Sequence, residues 1–207
     1  MTTRERIVEE ALTLFSIQGY QGTSVKNIAD KVGIKDSSLY KHFSSKKEIF
    51  DTIVQEMSVR MEEMSRAFGL PDEKNLAEAA MLYGRITIDQ LLGLSRQIFL
   101  FYLKDEFASR FRRMLAIEQY RNREIYEVYR GIFMNAAITY QTALFGEMIQ
   151  RGIFNGHDPE AMAVNFYAPI FFLLNKYDQE PQKEAEALQA LERQIREFAR
   201  IYQGTGK

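Results

Sequence analysis

Six lysines fall between Tyr20 and Lys47, at positions 26, 31, 35, 41, 46 and 47, against two acidic residues, Asp30 and Asp36. The stretch carries a formal charge of +4 within a chain of 207 residues whose net charge is −1, so the remainder stands near −5. A compact cationic footprint on an otherwise acidic molecule is the electrostatic arrangement of a surface that meets phosphates. Other chemistry is poorly supplied. Cysteine is absent, which removes disulfides, thiolate nucleophiles and zinc-thiolate sites, and His42 and His157 are too few for a multi-histidine metal centre. There is no phosphate-binding Gly loop and no metal-ligand cluster, and scattered carboxylates do not make a catalytic constellation. The expectation is a protein that is not an enzyme and uses neither metal nor cofactor.

The spacing around the lysines points the same way. Val25 to Val32 reads as a two-turn helix, preceded by Thr23 and Ser24, either of which can cap its free N–H groups, and closed by Gly33. A further short helix begins near Asp36. Ala29 is small enough for two helices to cross closely, and four residues on Gly33 can take the positive φ of a tight inter-helix turn. Ile28, Val32, Ile34, Leu39 and Phe43 supply the apolar contacts between the pair. That is a helix-turn-helix, whose second helix enters the major groove of DNA.

The elements that must position this motif are helical throughout. Four Pro and twelve Gly stand against long stretches rich in Ala, Leu, Glu, Gln and Arg, a composition that favours helices over strands and turns. Ile7, Val8, Ala11, Leu12, Leu14 and Phe15 recur at spacings of three and four over Arg4 to Gln18, and Gly19 ends that helix. Ser45 and Glu48 stand in capping-box register for a long helix through about Arg66. FGLPD, Phe68 to Asp72, breaks it. Helices are then expected at about Glu73 to Gly93, Ser95 to Glu106, Phe107 to Tyr120 and Arg123 to Arg151. Asp158 caps a helix that begins at Pro159 and that Pro169 should kink, and a last helix runs from about Lys183 to Tyr202. The expected fold class is all-α, of about nine helices: residues 1–47 as a helix-turn-helix DNA-binding domain, 48–67 as a connecting helix and 68–207 as a larger helical domain. The N-terminus lacks the continuous apolar core of a signal peptide, and the longest apolar stretch, around Phe166 to Leu174, is too short to span a bilayer, so a cytoplasmic location is expected.

GYQGTSVKNIADKVGIKDSSLYKHFSSKKEIF closely resembles the N-terminal DNA-binding domain of the TetR family of bacterial transcriptional regulators. The resemblance covers about Arg4 to Phe50. Its most specific part is LYKHF, Leu39 to Phe43, followed by Ser-Ser-Lys-Lys-Glu, with the upstream Thr-Ser-Val and Ile-Ala elements. It implies a homodimeric transcriptional regulator, a repressor by expectation, whose C-terminal helical domain binds a small molecule and so controls affinity for a palindromic operator. Carried over by motif position, Asp36, Ser37, Ser38 and Lys41 face base edges, and Lys35 reaches either bases or phosphate. Thr23, Ser24 and Lys26 meet the DNA backbone, where hydroxyls and helix N-terminal N–H groups suit phosphate oxygens. Tyr40 and His42 resemble the family's phosphate-contacting pair, and Lys46 adds charge at the next N-terminus. Five of these have a structural alternative: Ser24, Asp36 and Ser37 as caps, Tyr40 as a packed ring with only its hydroxyl wet, His42 as packing between helices. The recognition helix contains no Arg, Asn or Gln, so the usual bidentate readers of guanine and adenine are missing apart from Lys41 and Lys35.

The larger domain is dense in aromatics, which at helical spacing are first of all core. The expected ligand site is a cavity for an aromatic or amphipathic molecule between the helices bearing Phe99, Tyr102, Tyr120, Phe133, Tyr140 and Phe172. The last two helices, Pro159 to Lys176 and Lys183 to Tyr202, resemble those that dimerise in the family as a four-helix bundle. A helical protein-interaction module without sequence-specific DNA binding is the competing reading.

Overall fold

In the computed structural model, which describes residues 1–71 and 74–203, the described residues form helices and a single isolated bridge between Phe154 and Gln203. The all-α expectation holds. Asp72 of the breaker and Glu73, the expected first residue of the next helix, lie outside the described residues. The helices are α1 (Thr3–Gly22), α2 (Val25–Val32), α3 (Asp36–Leu39), α4 (Lys46–Ala67), α5 (Leu76–Tyr83), α6 (Ile88–Lys104), α7 (Glu106–Glu118), α8 (Arg123–Arg130), α9 (Ala137–Gln150), α10 (Pro159–Lys176) and α11 (Glu184–Tyr202). A π-helical stretch, Gly131–Ala136, joins α8 to α9, and a 3₁₀ turn, Pro181–Lys183, precedes α11.

Two compact units divide the chain. The first holds Met1–Met64 together with Lys104–Arg130, and the second holds Ser65–Leu103 with Gly131–Lys207. Chain order alone put residues 104–130 with the C-terminal domain, but α7 packs along α1 inside the first unit. The core of that unit buries Ile7, Ala11, Leu12 and Phe15 of α1, Ile28, Ala29 and Val32 of α2, Leu39 and Phe43 around α3, Ile49, Ile53 and Met57 of α4, and Phe111 and Leu115 of α7. Burying each large aliphatic or aromatic side chain contributes about 1.5–3 kcal/mol.

The second unit has two apolar clusters. One gathers Phe145, Met148, Phe154, Met162 and Phe198, and the other Leu92, Phe99, Leu173, Leu174, Leu191 and Ile195. α10 begins as read from sequence: Pro159 is its first residue and the Asp158 carboxylate accepts from the N–H groups of Glu160 and Ala161 at 3.0 Å. Pro169 lies inside it without ending it. The break expected near Gly93 falls instead between α5 and α6, where Thr87 and Gln90 cap each other reciprocally at 2.8 and 3.2 Å and start α6. In the π-helical stretch the widened turn offers its Phe133 carbonyl to the Tyr167 hydroxyl, which donates to it at 2.7 Å.

Candidate nucleic-acid interface

The motif is assembled in the first unit by caps and one left-handed turn. Ser24 precedes α2 and accepts from the Asn27 N–H at 3.1 Å, while Asn27 Oδ1 accepts from the Ser24 N–H at 2.8 Å and from its hydroxyl at 2.6 Å. Gly33 follows α2 with φ 78° and ψ 35°, and the Ile34 N–H returns to the Ala29 carbonyl at 3.0 Å, a Schellman closure that turns the chain toward α3. Arg6 of α1 donates to the Val32 carbonyl at 2.7 Å, placing a cation at the negative end of α2. Lys35 precedes α3 without a side-chain cap. Beyond Leu39 the turn continues through backbone bonds of His42 and Phe43 to the Leu39 carbonyl, at 2.8 and 3.1 Å. Leu39 and Phe43, four residues apart, are buried and anchor one side of this turn. The other side is presented outward.

On that outer side Lys35, Asp36, Ser37, Tyr40, Lys41 and His42 are exposed and Ser38 is half-buried, with Lys26 exposed on α2. Among the described residues, the side chains of these eight enter no hydrogen bond or ion pair with the protein. Tyr40 is 54% exposed, so its ring is not packed as core. The cap alternatives for Asp36 and Ser37 are not realised, whereas Ser24 is a cap.

Two expected phosphate contacts are placed elsewhere. Thr23 is fully buried and its hydroxyl donates to the Gly19 carbonyl at 2.9 Å. Lys46 donates to the carbonyls of Tyr20 and Thr23 at 2.6 and 2.7 Å and lies 4.2 Å over the Tyr20 ring. Burial holds its pKa below the ordinary lysine value, with Glu118 opposing that shift. Both side chains thus close the C-terminus of α1, where carbonyls lack helical partners. Lys47 is paired as well, with Glu124 at 2.6 Å and Asp51 at 2.9 Å.

Sequence reasoning missed the residues that brace this surface from behind. Glu118 of α7 is buried and accepts from the Gln21 N–H at 3.0 Å, and Arg110 reaches Thr13 and Glu9 of α1 at 2.6 and 2.8 Å. Read in sequence, Glu118 is only a polar interruption of an apolar period. The expected capping box at α4 is shifted by one residue. Ser45 accepts from the Glu48 N–H, but the Glu48 carboxylate accepts from the N–H and hydroxyl of Ser44, both at 2.7 Å.

The six aromatics expected to line a ligand site are not brought together. Tyr120 is 89% exposed and belongs to the first unit, Phe172 is 63% exposed on α10, and Phe99 is core beside Leu173 and Ile195. Tyr102 and Phe133 meet edge to face at 6.2 Å. Tyr140 alone of the six lines a cavity of about 210 Å³ in the second unit. Its wall is made by side chains of α6, α9, α10 and α11, among them Leu94, Ile98, Leu144, Phe145, Phe166 and Phe198. The periodicity showed which helices carry aromatics but not which faces leave a gap.

An unpartnered row of cations and hydroxyls on a short helix, held by a Gly turn against a second helix, is the arrangement of a helix-turn-helix motif. Residues 7–53 match the bacterial regulatory proteins of the tetR family. The biofilm operon icaADBC HTH-type negative transcriptional regulator IcaR of Staphylococcus aureus (strain Newman) is 48% identical over 52 residues. That match takes in 25% of this chain and 28% of the length of IcaR. Over the whole chain the fold resembles SmeT, the repressor of the Stenotrophomonas maltophilia multidrug efflux pump SmeDEF. The TM-score is 0.64 and the identity 19%, with 100% of this chain and 93% of that one covered. NalD, the secondary repressor of the MexAB-OprM multidrug efflux pump in Pseudomonas aeruginosa, gives a TM-score of 0.62 and 23% identity over 94% of this chain and 96% of its own.

Proposed function

We propose that this chain is a sequence-specific transcriptional repressor that binds a palindromic operator as a homodimer and is released by a small-molecule effector. The observation that carries this reading is the eight-residue outer surface of α2 and the α3 turn. Among the described residues its lysines, hydroxyls and imidazole have no partner, while the residues behind them are capped, paired and buried. We assign base-edge contact to Asp36, Ser37, Ser38 and Lys41, phosphate contact to Lys26, Tyr40 and His42, and either to Lys35. Thr23 and Lys46 are assigned to holding the end of α1.

Dimerisation through α10 and α11 is supported by apolar side chains left in water on those helices. Val164 and Phe172 of α10 and Ile201 of α11 are exposed beside Ala168 and line one groove. Clustered exposed apolar residues of this kind mark an interaction surface. The cavity beside Tyr140 is the proposed effector site, by analogy with SmeT, which is known as a triclosan complex. No catalytic role is assigned, and no helix among the described residues is long and apolar enough to cross a membrane.

The test is to incubate the purified protein with fragmented genomic DNA at near-physiological salt and sequence what is retained. A short inverted repeat, with half-sites a whole number of helical turns apart, is the expected result. Retention without sequence enrichment would instead support a protein-interaction module.

A further inference from the structure

Among the described residues, the wall of the 210 Å³ cavity contains no Asp, Glu, Lys, Arg or His. A full charge placed there would meet no counter-charge from these residues, at a desolvation cost of several kcal/mol. One polar atom of the wall is conspicuous. Gln141 Oε1, on α9, is buried and has no hydrogen-bond partner among the described residues. A buried acceptor without a donor is costly, and most such atoms in folded proteins are satisfied by protein or water. Phe145, Phe166 and Phe198 share the wall, with ring centroids 4.9–5.8 Å apart. Such rings offer edges and faces to a further aromatic ring.

Resting on the reading of this cavity as the effector site, we propose that the effector is a neutral aromatic molecule bearing one hydroxyl or N–H donor, which it gives to Gln141 Oε1. The size is limited too. An apolar cavity of about 150 Å³ holds benzene, so this one takes a ring with a short substituent, about eight to ten non-hydrogen atoms. A phenol with a small alkyl group satisfies every condition: it is uncharged at neutral pH, its ring packs against the phenylalanines, and its O–H reaches the orphan oxygen.

Five probes separate these conditions: 4-ethylphenol, ethylbenzene without a donor, propiophenone with an acceptor only, 4-methylbenzoate as anion and phenethylamine as cation. Affinity is measured by calorimetry on the full chain. Occupancy of the cavity is read independently from the methyl resonance of Met148, a wall residue, in protein labelled at methionine methyls. The expected result is that 4-ethylphenol shifts Met148 and binds at least about tenfold more tightly than ethylbenzene or propiophenone, the loss that follows an unmade bond to a buried acceptor. The two ions bind more weakly still. Gln141→Leu should bring 4-ethylphenol to the level of ethylbenzene and leave ethylbenzene within about twofold.

Equal affinity for propiophenone or ethylbenzene, tighter binding of either ion, an unaltered phenol affinity in Gln141→Leu, or no Met148 shift with any probe would each overturn the proposal. The same probes are then added to the protein on its selected DNA repeat. If 4-ethylphenol binds through Gln141 and leaves the DNA complex intact, the ligand class stands and the effector reading fails. If an ion or acceptor-only probe releases the DNA, the effector reading stands and the proposed class is wrong.

Discussion

Lys41 and Lys46 carry the same charge in the same cationic stretch, and the structure gives them opposite work. Lys41 is exposed and unpartnered on the α3 turn, whereas the Lys46 ammonium is held by two carbonyls and a tyrosine ring. Lys41→Ala should relax preference at one base position, by about 1–3 kcal/mol if it reads guanine. Lys26→Ala should weaken binding to all duplexes and lower the salt slope by about one. Lys46→Ala should leave that slope unchanged and cost about 1.5–3 kcal/mol of stability, the range for hydrogen bonds to a charged group. Binding isotherms at several salt concentrations and urea unfolding separate the two effects. Glu48 provides a pH prediction. The Ser44 hydroxyl and N–H hold its carboxyl below the ordinary value of 4.5, so the unfolded chain takes up the proton more readily. The stabilisation is complete above pH 4.5 and is lost as pH falls through the lower folded value. Glu48→Gln should therefore show a smaller loss of urea midpoint between about pH 7 and about pH 3.5 than the parent protein. The cationic footprint was legible in the sequence. How many of its charges are free was not, because composition cannot distinguish an ammonium facing water from one capping a helix.

Among the elements, the two glycines around the motif make the sharpest comparison. Gly33 has φ 78°, and a Cβ built there meets no atom within 4 Å, so Gly33→Ala should cost only the left-handed backbone penalty, about 1–2 kcal/mol. Gly19 has φ 81° and its Cβ would collide with the Glu118 carboxylate. Gly19→Ala should therefore destabilise more than Gly33→Ala, measured as the difference in thermal midpoint. Glu118→Ala should narrow that difference by removing the collision. The helix-turn-helix was readable because its caps, its αL glycine and its buried positions lie within a few residues of one another. The start of α6 was readable as well, from the Thr87 to Gln90 capping pair, but Gly93 was taken for the break. An exposed Gly inside a helix costs only about 1 kcal/mol, which the rest of α6 tolerates. The packing of α7 against α1 depends on contacts about a hundred residues apart, Arg110 with Glu9 and Glu118 with Gln21. No local period reports such a pairing.

For the whole molecule, the reading requires two copies, since a two-fold protein reads a two-fold site. Phe172 and Ile201 are more than half exposed, so Phe172→Asp with Ile201→Asp should leave the helical signal intact. Sedimentation should show the dimer shifted to monomer, with operator affinity falling while binding to random duplex changes less. A double variant that remains dimeric would remove α10 and α11 from the interface. The cavity proposed as the effector site was the least legible part, because a cavity is a failure of helices to fill space and depends on faces that meet only in three dimensions. Of the six aromatics named from the sequence, Tyr140 is the one that lines this cavity, and α11, which supplies Phe198 to the wall, bore none of them. The central claim is that the outer surface of the α3 turn reads sequence. Its most direct test is the affinity of the effector-free protein for its selected inverted repeat against a scrambled duplex of the same composition, at one salt concentration. The account predicts a ratio of at least about 10³ in favour of the repeat. Equal affinity for the two would contradict it.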